Sequence, residues 1–311
     1  MRLTSSTGSS PHDCDGAATA DVVLLDGALV PRGEATVSAF DRGVMYGESL
    51  FETLKVVDGA PCLWDLHRDR LTRGCEESGI PLDPDSVWRG VARLLARRPV
   101  SHGVLRVQVT GGVQPGGGRG LVAPTEGRSP RVVASVVESA PMPAATYLAG
   151  VDVVTATGFA RSVPRLKSGN YLASIRAKEY AESVGAFECI MAAGDPPRLL
   201  EGSFSNVLVW DGARLECPAE GDHLPGVILG VVLQIGRELG IPVVMGDVGL
   251  AQARGAGILL TGSLLGVCPC ATLDGETLED SVSVATRLRA GLLDREARSR
   301  EDWRTMWTVS M

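Results

Sequence analysis

An amine able to attack a carbonyl is the scarcest reactive group in this sequence. Of 30 Lys and Arg residues only three are lysines: Lys55, Lys167 and Lys178. Chemistry that needs an amine nucleophile has to use one of them. Lys178 stands four residues before Glu182 in a helical pattern, which reads as an i,i+4 ion pair on a solvated face. Lys55 shares a period-two face with Phe51, Thr53 and Val57, alternating with Leu50, Glu52, Leu54 and Val56, which reads as an outward-facing strand lysine. Lys167 lies between Pro164 and Gly169 in an irregular stretch just before a helix. It is either an exposed loop lysine or one that projects into a cleft.

Other chemistries find no spacing to support them. The Gly run near 116–120 lacks the Lys and Ser/Thr of a phosphate-binding P-loop, and no GxGxxG opens a helix after a strand. There is no GxSxG elbow. His12, His67, His102 and His223 are scattered, without HExxH or Cys/His zinc spacing. No metal and no triad hydrolase is expected. A net charge of −7 and a pI of about 5.2 leave no electrostatic footprint for nucleic acid. The seven cysteines are odd in number, and Cys268 and Cys270 are too close for a CxxC clip. A reduced, cytoplasmic setting is expected.

The elements that must position these residues follow from periodicity. Residues 1–20 are small and polar with no apolar signal core, so a flexible tail is expected. Two short apolar runs flank Asp26-Gly27, and LFETLKVVDGAPCLW repeats that hairpin pattern around Asp58-Gly59. Helices are expected at about 65–78 and 85–97, and strands at 103–110 and 131–138. ESAPMPAAT (138–146) reads as a linker between lobes at 21–140 and 141–311. The second lobe opens with a strand at roughly 147–155. Ser168 or Asn170 caps a helix that stops at Gly185. ECIMAA, RLLEGS, NVLVW and RLEC are short strands, and a helix spans about 226–239. The uncharged run 255–273 holds four Gly, a Pro and polar residues, so it reads as two buried strands with a turn, and no membrane span is expected. The charged helix at 287–304 reads as a solvated face. Together these give a mixed α/β chain of two lobes.

Six segments then stand in one order: DRGVMYGESLFETLKVVDG (41–59), LHRDRL (66–71), KSGNY (167–171), LEGSFSNVLVW (200–210), LPG (224–226) and TGSLLGVCP (261–269). In that order they resemble the class IV pyridoxal 5'-phosphate (PLP) enzymes, which include the branched-chain and D-amino-acid aminotransferases and 4-amino-4-deoxychorismate lyase. The resemblance runs from about 22 to 275. It implies a fold-type IV architecture with the site between two lobes, and a homodimer. It implies Lys167 as the Schiff-base lysine and Glu201 as the carboxylate beside the pyridine nitrogen. Arg70, the amides of Val227 and Ile228 at a helix start, Gly262 and Ser263 become the phosphate cradle. Tyr171 is the candidate partner of the phenolic oxygen, with a core tyrosine as the alternative. Arg119 becomes the holder of a substrate carboxylate, the alternative being a solvated loop arginine.

The sequence also departs from the family. The usual G-I-T-R at the phosphate helix is Gly226-Val227-Ile228-Leu229, and the usual G-D-G or G-D-S is Gly47-Glu48-Ser49. GGVQPGGGRGL (111–121) and Ser263-Leu264-Leu265-Gly266-Val267 resemble the lyase form. The expected activity is therefore 4-amino-4-deoxychorismate lyase, eliminating pyruvate to give 4-aminobenzoate. The alternative is a D-amino-acid or branched-chain transaminase, and a PLP-binding relative without turnover is a third reading. The substrate is expected to be a small amine bearing a carboxylate.

Overall fold

The computed structural model describes residues 21–114, 120–122 and 127–308; the expected tail and Arg119 lie outside these. Asp26-Gly27 and Asp58-Gly59 take positive φ at all four positions, as tight hairpin turns require. They join β1 (Val22–Leu25) to β2 (Ala28–Pro31) and β3 (Ser49–Val57) to β4 (Ala60–Pro61). A short helix, α1 (Arg42–Tyr46), precedes β3, and α2 (Trp64–Glu77) and α3 (Pro84–Arg97) follow β4. Asp83 starts α3 by accepting from the amides of Asp85 and Ser86, with Pro84 in the first turn. With β5 (His102–Thr110) and β6 (Val132–Glu138) the strands form one six-stranded sheet, β2-β1-β6-β5-β3-β4. Alternation along β3 and β5 puts Leu50, Leu54, Leu105 and Val107 in a core with Trp64 and Trp88. Each such burial contributes about 1.5–3 kcal/mol. The other face carries Phe51, Lys55 and Arg106, toward the second sheet.

That sheet is built from β7 (Val151–Thr157), β8 (Glu188–Ala193), β9 (Arg198–Gly202), β10 (Asn206–Trp210), β11 (Leu215–Pro218), β12 (Val243–Gly246), β13 (Gly257–Gly262), β14 (Gly266–Leu273) and β15 (Glu276–Thr277). Its order is β12-β11-β10-β13-β14-β7-β8-β9, with β15 on β14. The pairs β11–β12, β14–β7 and β7–β8 are parallel, so the sheet is mixed. The run 255–273 forms the β13–β14 hairpin. Between strands lie α4 (Ala144–Ala149), α5 (Leu172–Ser183), α6 (Val227–Glu238) and α7 (Leu250–Ala253), and α8 (Val282–Thr308) ends the described chain. No helix among the described residues is long and apolar enough to cross a membrane. The architecture is mixed α/β, as the periodicity predicts.

Three local expectations differ from the structure. The strand expected from 147 starts at Val151, because the Ala-rich segment before it forms α4 and stops at Gly150, φ 77°. Helix α5 starts after Tyr171 without a side-chain cap, because Ser168 is drawn into a bridge with Leu50 of β3. The largest difference is α8. Leu288 and Leu292 enter the second core, while Trp303 enters the first, 5.3 Å from Trp64 and 6.2 Å from Trp88. Its many charges conceal a buried stripe of Leu288, Leu292, Glu296, Ser299 and Trp303. Lys55 is accordingly not outward-facing: its Nζ lies 2.5 Å from Glu296 Oε2.

Candidate active site

The segment carrying Lys167 is stitched to the first sheet. Phe51 N–H donates to the Lys167 carbonyl at 2.9 Å, and Gly169 N–H donates to the Ser49 carbonyl at 2.7 Å. A Cβ on Gly169 would collide with Ser49 Oγ as it stands, so any other residue here would have to displace that hydroxyl. Lys167 Nζ then sits 4.8 Å from the centre of the Phe51 ring. Burial first, and the Arg70 guanidinium second, pull the amine down to a pKa of about 7; Glu52 and Glu201 oppose them.

Arg70 projects from α2 into an ion-paired group. Its Nε and Nη2 donate to Glu52 Oε1 and Oε2 at 2.7 and 2.6 Å, and Nη1 donates to the Pro225 carbonyl at 3.1 Å. Burial favours a neutral Glu52, yet Arg70 and His67 outweigh it and hold the carboxyl down at about 2. His67 is pushed below its ordinary value by burial, so at neutral pH it donates from Nδ1–H to Glu52 Oε2, 2.6 Å away, as a neutral imidazole. A cavity of about 140 Å³ opens here, with Phe51, Glu52, Arg70, Lys167 and Pro225 in its walls.

The second sheet brings the remaining groups. Glu201, near the end of β9, accepts from Leu224 N–H at 3.0 Å through Oε2, while the buried Oε1 has no hydrogen-bond partner among the described residues and lies 3.6 Å from Arg161 Nη1. Burial raises its pKa against the pull of Arg161. Asn206 Nδ2 donates to the Leu224 carbonyl at 2.8 Å. Leu224 and Pro225 are thus fastened by Glu201, Asn206 and Arg70. A Cβ on Gly226 would collide with Asn206 Oδ1, which fixes glycine at the start of α6. The amides of Val227 and Ile228 follow, with no intrahelical acceptor of their own. Gly262 and Ser263 lie at the β13–β14 turn, next to Thr261, whose buried hydroxyl has no partner among the described residues. Tyr171 packs edge-on against Phe51 at 5.2 Å, beneath the Arg161 guanidinium; burial raises its hydroxyl pKa.

The structure therefore brings Lys167, Arg70, Tyr171, Glu201 and the α6 start together, with the Gly262–Ser263 turn beside them. Arg161, Arg106 and Glu188 were missed by sequence reasoning. Arg106 stacks on Phe51, 3.8 Å from its centre. Glu188 shapes the turn after Glu201: it accepts from the Ser203 amide and hydroxyl at 3.0 and 2.5 Å, and from the Ser205 hydroxyl at 2.8 Å. The serines of EGSFS were its only sequence signal.

The model of the family described as amino-transferase class IV matches residues 49–273. The chain belongs to the class IV aminotransferases. Enzymes of this family use PLP. Among relatives of this class IV aminotransferase, the D-alanine aminotransferase of Listeria innocua is 27% identical over 262 residues, covering 83% of this chain and 89% of the relative. A structure of 4-amino-4-deoxychorismate lyase from Pseudomonas aeruginosa superposes with a TM-score of 0.76 at 29% identity, covering 88% and 98%. The branched-chain aminotransferase of Thermoproteus uzoniensis, solved with norvaline, gives 0.78 at 20% identity, covering 91% and 97%, a likeness of fold.

Proposed function

We propose that this class IV aminotransferase binds PLP in the cleft beside Lys167 and moves protons on an amine substrate that bears a carboxylate. One grouping carries the reading: a buried amine titrating at about 7, a buried carboxylate oxygen with no hydrogen-bond partner among the described residues, and an arginine beside a helix start. These fit the aldehyde, the ring nitrogen and the phosphate of the cofactor. When bound, PLP supplies an electron sink for the pair left on the substrate carbon. Arg70, still pinned by Glu52, offers its remaining N–H groups to the phosphate, and the amides of Val227 and Ile228 add the start of α6. Ser263 and Gly262 complete that cradle. Glu201 holds the proton on the ring nitrogen, and Tyr171 meets the phenolic oxygen. Lys167 Nζ, largely uncharged above pH 7, is placed to take the proton from the substrate Cα and, in transamination, would deliver it to the cofactor's C4′. Arg119 holds the substrate carboxylate.

For the reaction itself we infer transamination of an amino acid, supported by the D-alanine aminotransferase relatives that cover most of this chain. The lyase is the second reading. The GGRGL segment, the Ser263–Val267 segment and the 29% identical lyase structure favour it. Absorbance of the PLP-loaded protein separates them. A visible band that moves to shorter wavelength with one hand of amino acid, in the absence of keto acid, supports transamination and names the hand. A band unmoved by the whole panel but coupled to pyruvate release from aminodeoxychorismate supports the lyase. No visible band, or one retained in Lys167→Ala, refutes the assignment of Lys167.

A further inference from the structure

A second cavity, of about 330 Å³, opens between the two sheets, apart from the lysine site. Its walls come from β3 and β5, from α4 and α8, and from the 139–142 connection. None of Phe51, Arg70, Lys167, Tyr171 and Glu201 lines it. On β3 it begins at Lys55, about 13 Å past Phe51 along an extended strand. One face of α8 forms the floor: Arg289, Leu293, Glu296 and Arg300 recur at the spacing that aligns side chains on a helix. Lys55, Arg289 and Arg300 thus line the cavity against the single carboxylate of Glu296. That carboxylate is engaged by Lys55, with 2.5 Å between Oε2 and Nζ. Arg300 reaches only Asp58, an exposed side chain 3.8 Å away. Arg289 pairs with no carboxylate among the described residues. Its guanidinium carbon lies 3.8 Å from the centre of the Tyr147 ring, and the Tyr147 hydroxyl donates to the Leu265 carbonyl at 2.8 Å. Stacking covers the face of the guanidinium and leaves its N–H edge for an acceptor. The wall beside it is apolar, with Pro141, Met142, Leu264 and Leu293.

We propose that this cavity is a binding site for a small organic carboxylate with an apolar body, separate from the cleft at Lys167. The carboxylate meets the N–H edge of Arg289 in a charge-assisted fork. The body packs on Tyr147, Met142 and Leu264. Lys55 and Arg300 add positive potential to the recess, which favours an anion over an uncharged compound of the same shape. Because the walls belong to both sheets, an occupant joins them and stabilises their contact.

The test is calorimetric titration of the PLP-loaded protein with benzoate, and with benzamide as its uncharged counterpart. Benzoate is expected to bind saturably, to raise Tm and to leave the visible band in place. Benzamide should bind about tenfold more weakly or worse. Arg289→Met keeps the apolar stem but loses the fork. It is expected to weaken benzoate about tenfold or more, with its visible band unchanged. Leu293→Trp fills the cavity from α8 and should give the same loss, so the site is tested even if Arg289→Met does not fold. Lys167→Ala should bind benzoate like the parent, which keeps this result independent of the role read for Lys167. No saturable binding by the parent, or equal binding of benzamide, overturns the proposal. Parental affinity in a folded Arg289→Met or Leu293→Trp overturns it too. Displacement of benzoate by the amino acid that moves the band places it in the cleft at Lys167 and removes the separate site.

Discussion

Burial and the neighbouring Arg70 leave the Lys167 amine titrating at about 7 instead of 10.5. Its reaction with an aldehyde in the apoprotein should therefore rise with pH to a plateau, with a midpoint near 7; a midpoint near 10 in a rate profile contradicts this. Stability carries the same signature. The unfolded lysine binds its proton up to about 10.5, so the cost of burying the charge is full below 7 and fades as pH rises to 10.5. Lys167→Met should abolish turnover and stabilise the apoprotein by roughly 1–3 kcal/mol below pH 7, the gain vanishing at the alkaline end. Glu52 behaves in the opposite sense. Its folded value of about 2 lies below 4.5, so its pairing contributes stability above 4.5 that is lost as pH falls toward 2. Thermal unfolding of wild type and Glu52→Gln should converge across that acid window.

At the scale of elements, α6 explains why the Thr and Arg of the family's phosphate helix are absent. Ile228 and Leu229 are each 3% exposed and pack in the second core with Val232 and Leu288. The phosphate binding proposed for this helix start would then rest on backbone amides. Ile228→Thr should lose about 1–2 kcal/mol in denaturant unfolding, since it trades packed methyl groups for a hydroxyl. A neutral or stabilising result would show that the position is not core. Helix α8 makes a larger contribution. Trp303 is wedged between Trp64 and Trp88, so Trp303→Ala should cost about 3–5 kcal/mol.

At the scale of the molecule, the site belongs to neither sheet alone. Phe51 of β3, Arg70 of α2 and Lys167, bonded to β3, come with the first; Glu201, Asn206 and the start of α6 come with the second. Because α8 plants one end in each core, loosening Trp303 should also weaken PLP affinity, measurable by titration of the absorption band. An affinity unchanged in Trp303→Ala would mean that the cleft does not depend on this strap. We propose that the chain pairs as the homodimer that the family resemblance implies, a reading supported by apolar side chains left open on α1 and the β5–β6 connection: Val44 at 62%, Leu121 at 79% and Val122 at 89% exposure. Sedimentation equilibrium should return a mass twice that of the chain; a monomer at all concentrations contradicts the assembly.

The sequence by itself determined what depends on neighbours along the chain. Asp-Gly turns, period-two strands and the Pro84 helix start follow from backbone preference, and the amine can only be one of three lysines. The order of KSGNY, LEGS and LPG named the candidate groups of the site. The tertiary structure decided whatever depends on partners far away in sequence. That Lys55 meets Glu296, that Ser168 pairs with β3 instead of capping α5, and that α8 hides a buried stripe are long-range outcomes with no local signal. The same holds for the electrostatics. A lysine titrates at about 7 only when folding encloses it beside Arg70, and Glu201 meets Leu224 through one oxygen and the Arg161 guanidinium through the other only once both distant segments are packed against it. Local propensity acts over a few residues, whereas desolvation and charge pairing exist only once distant segments have excluded water between them.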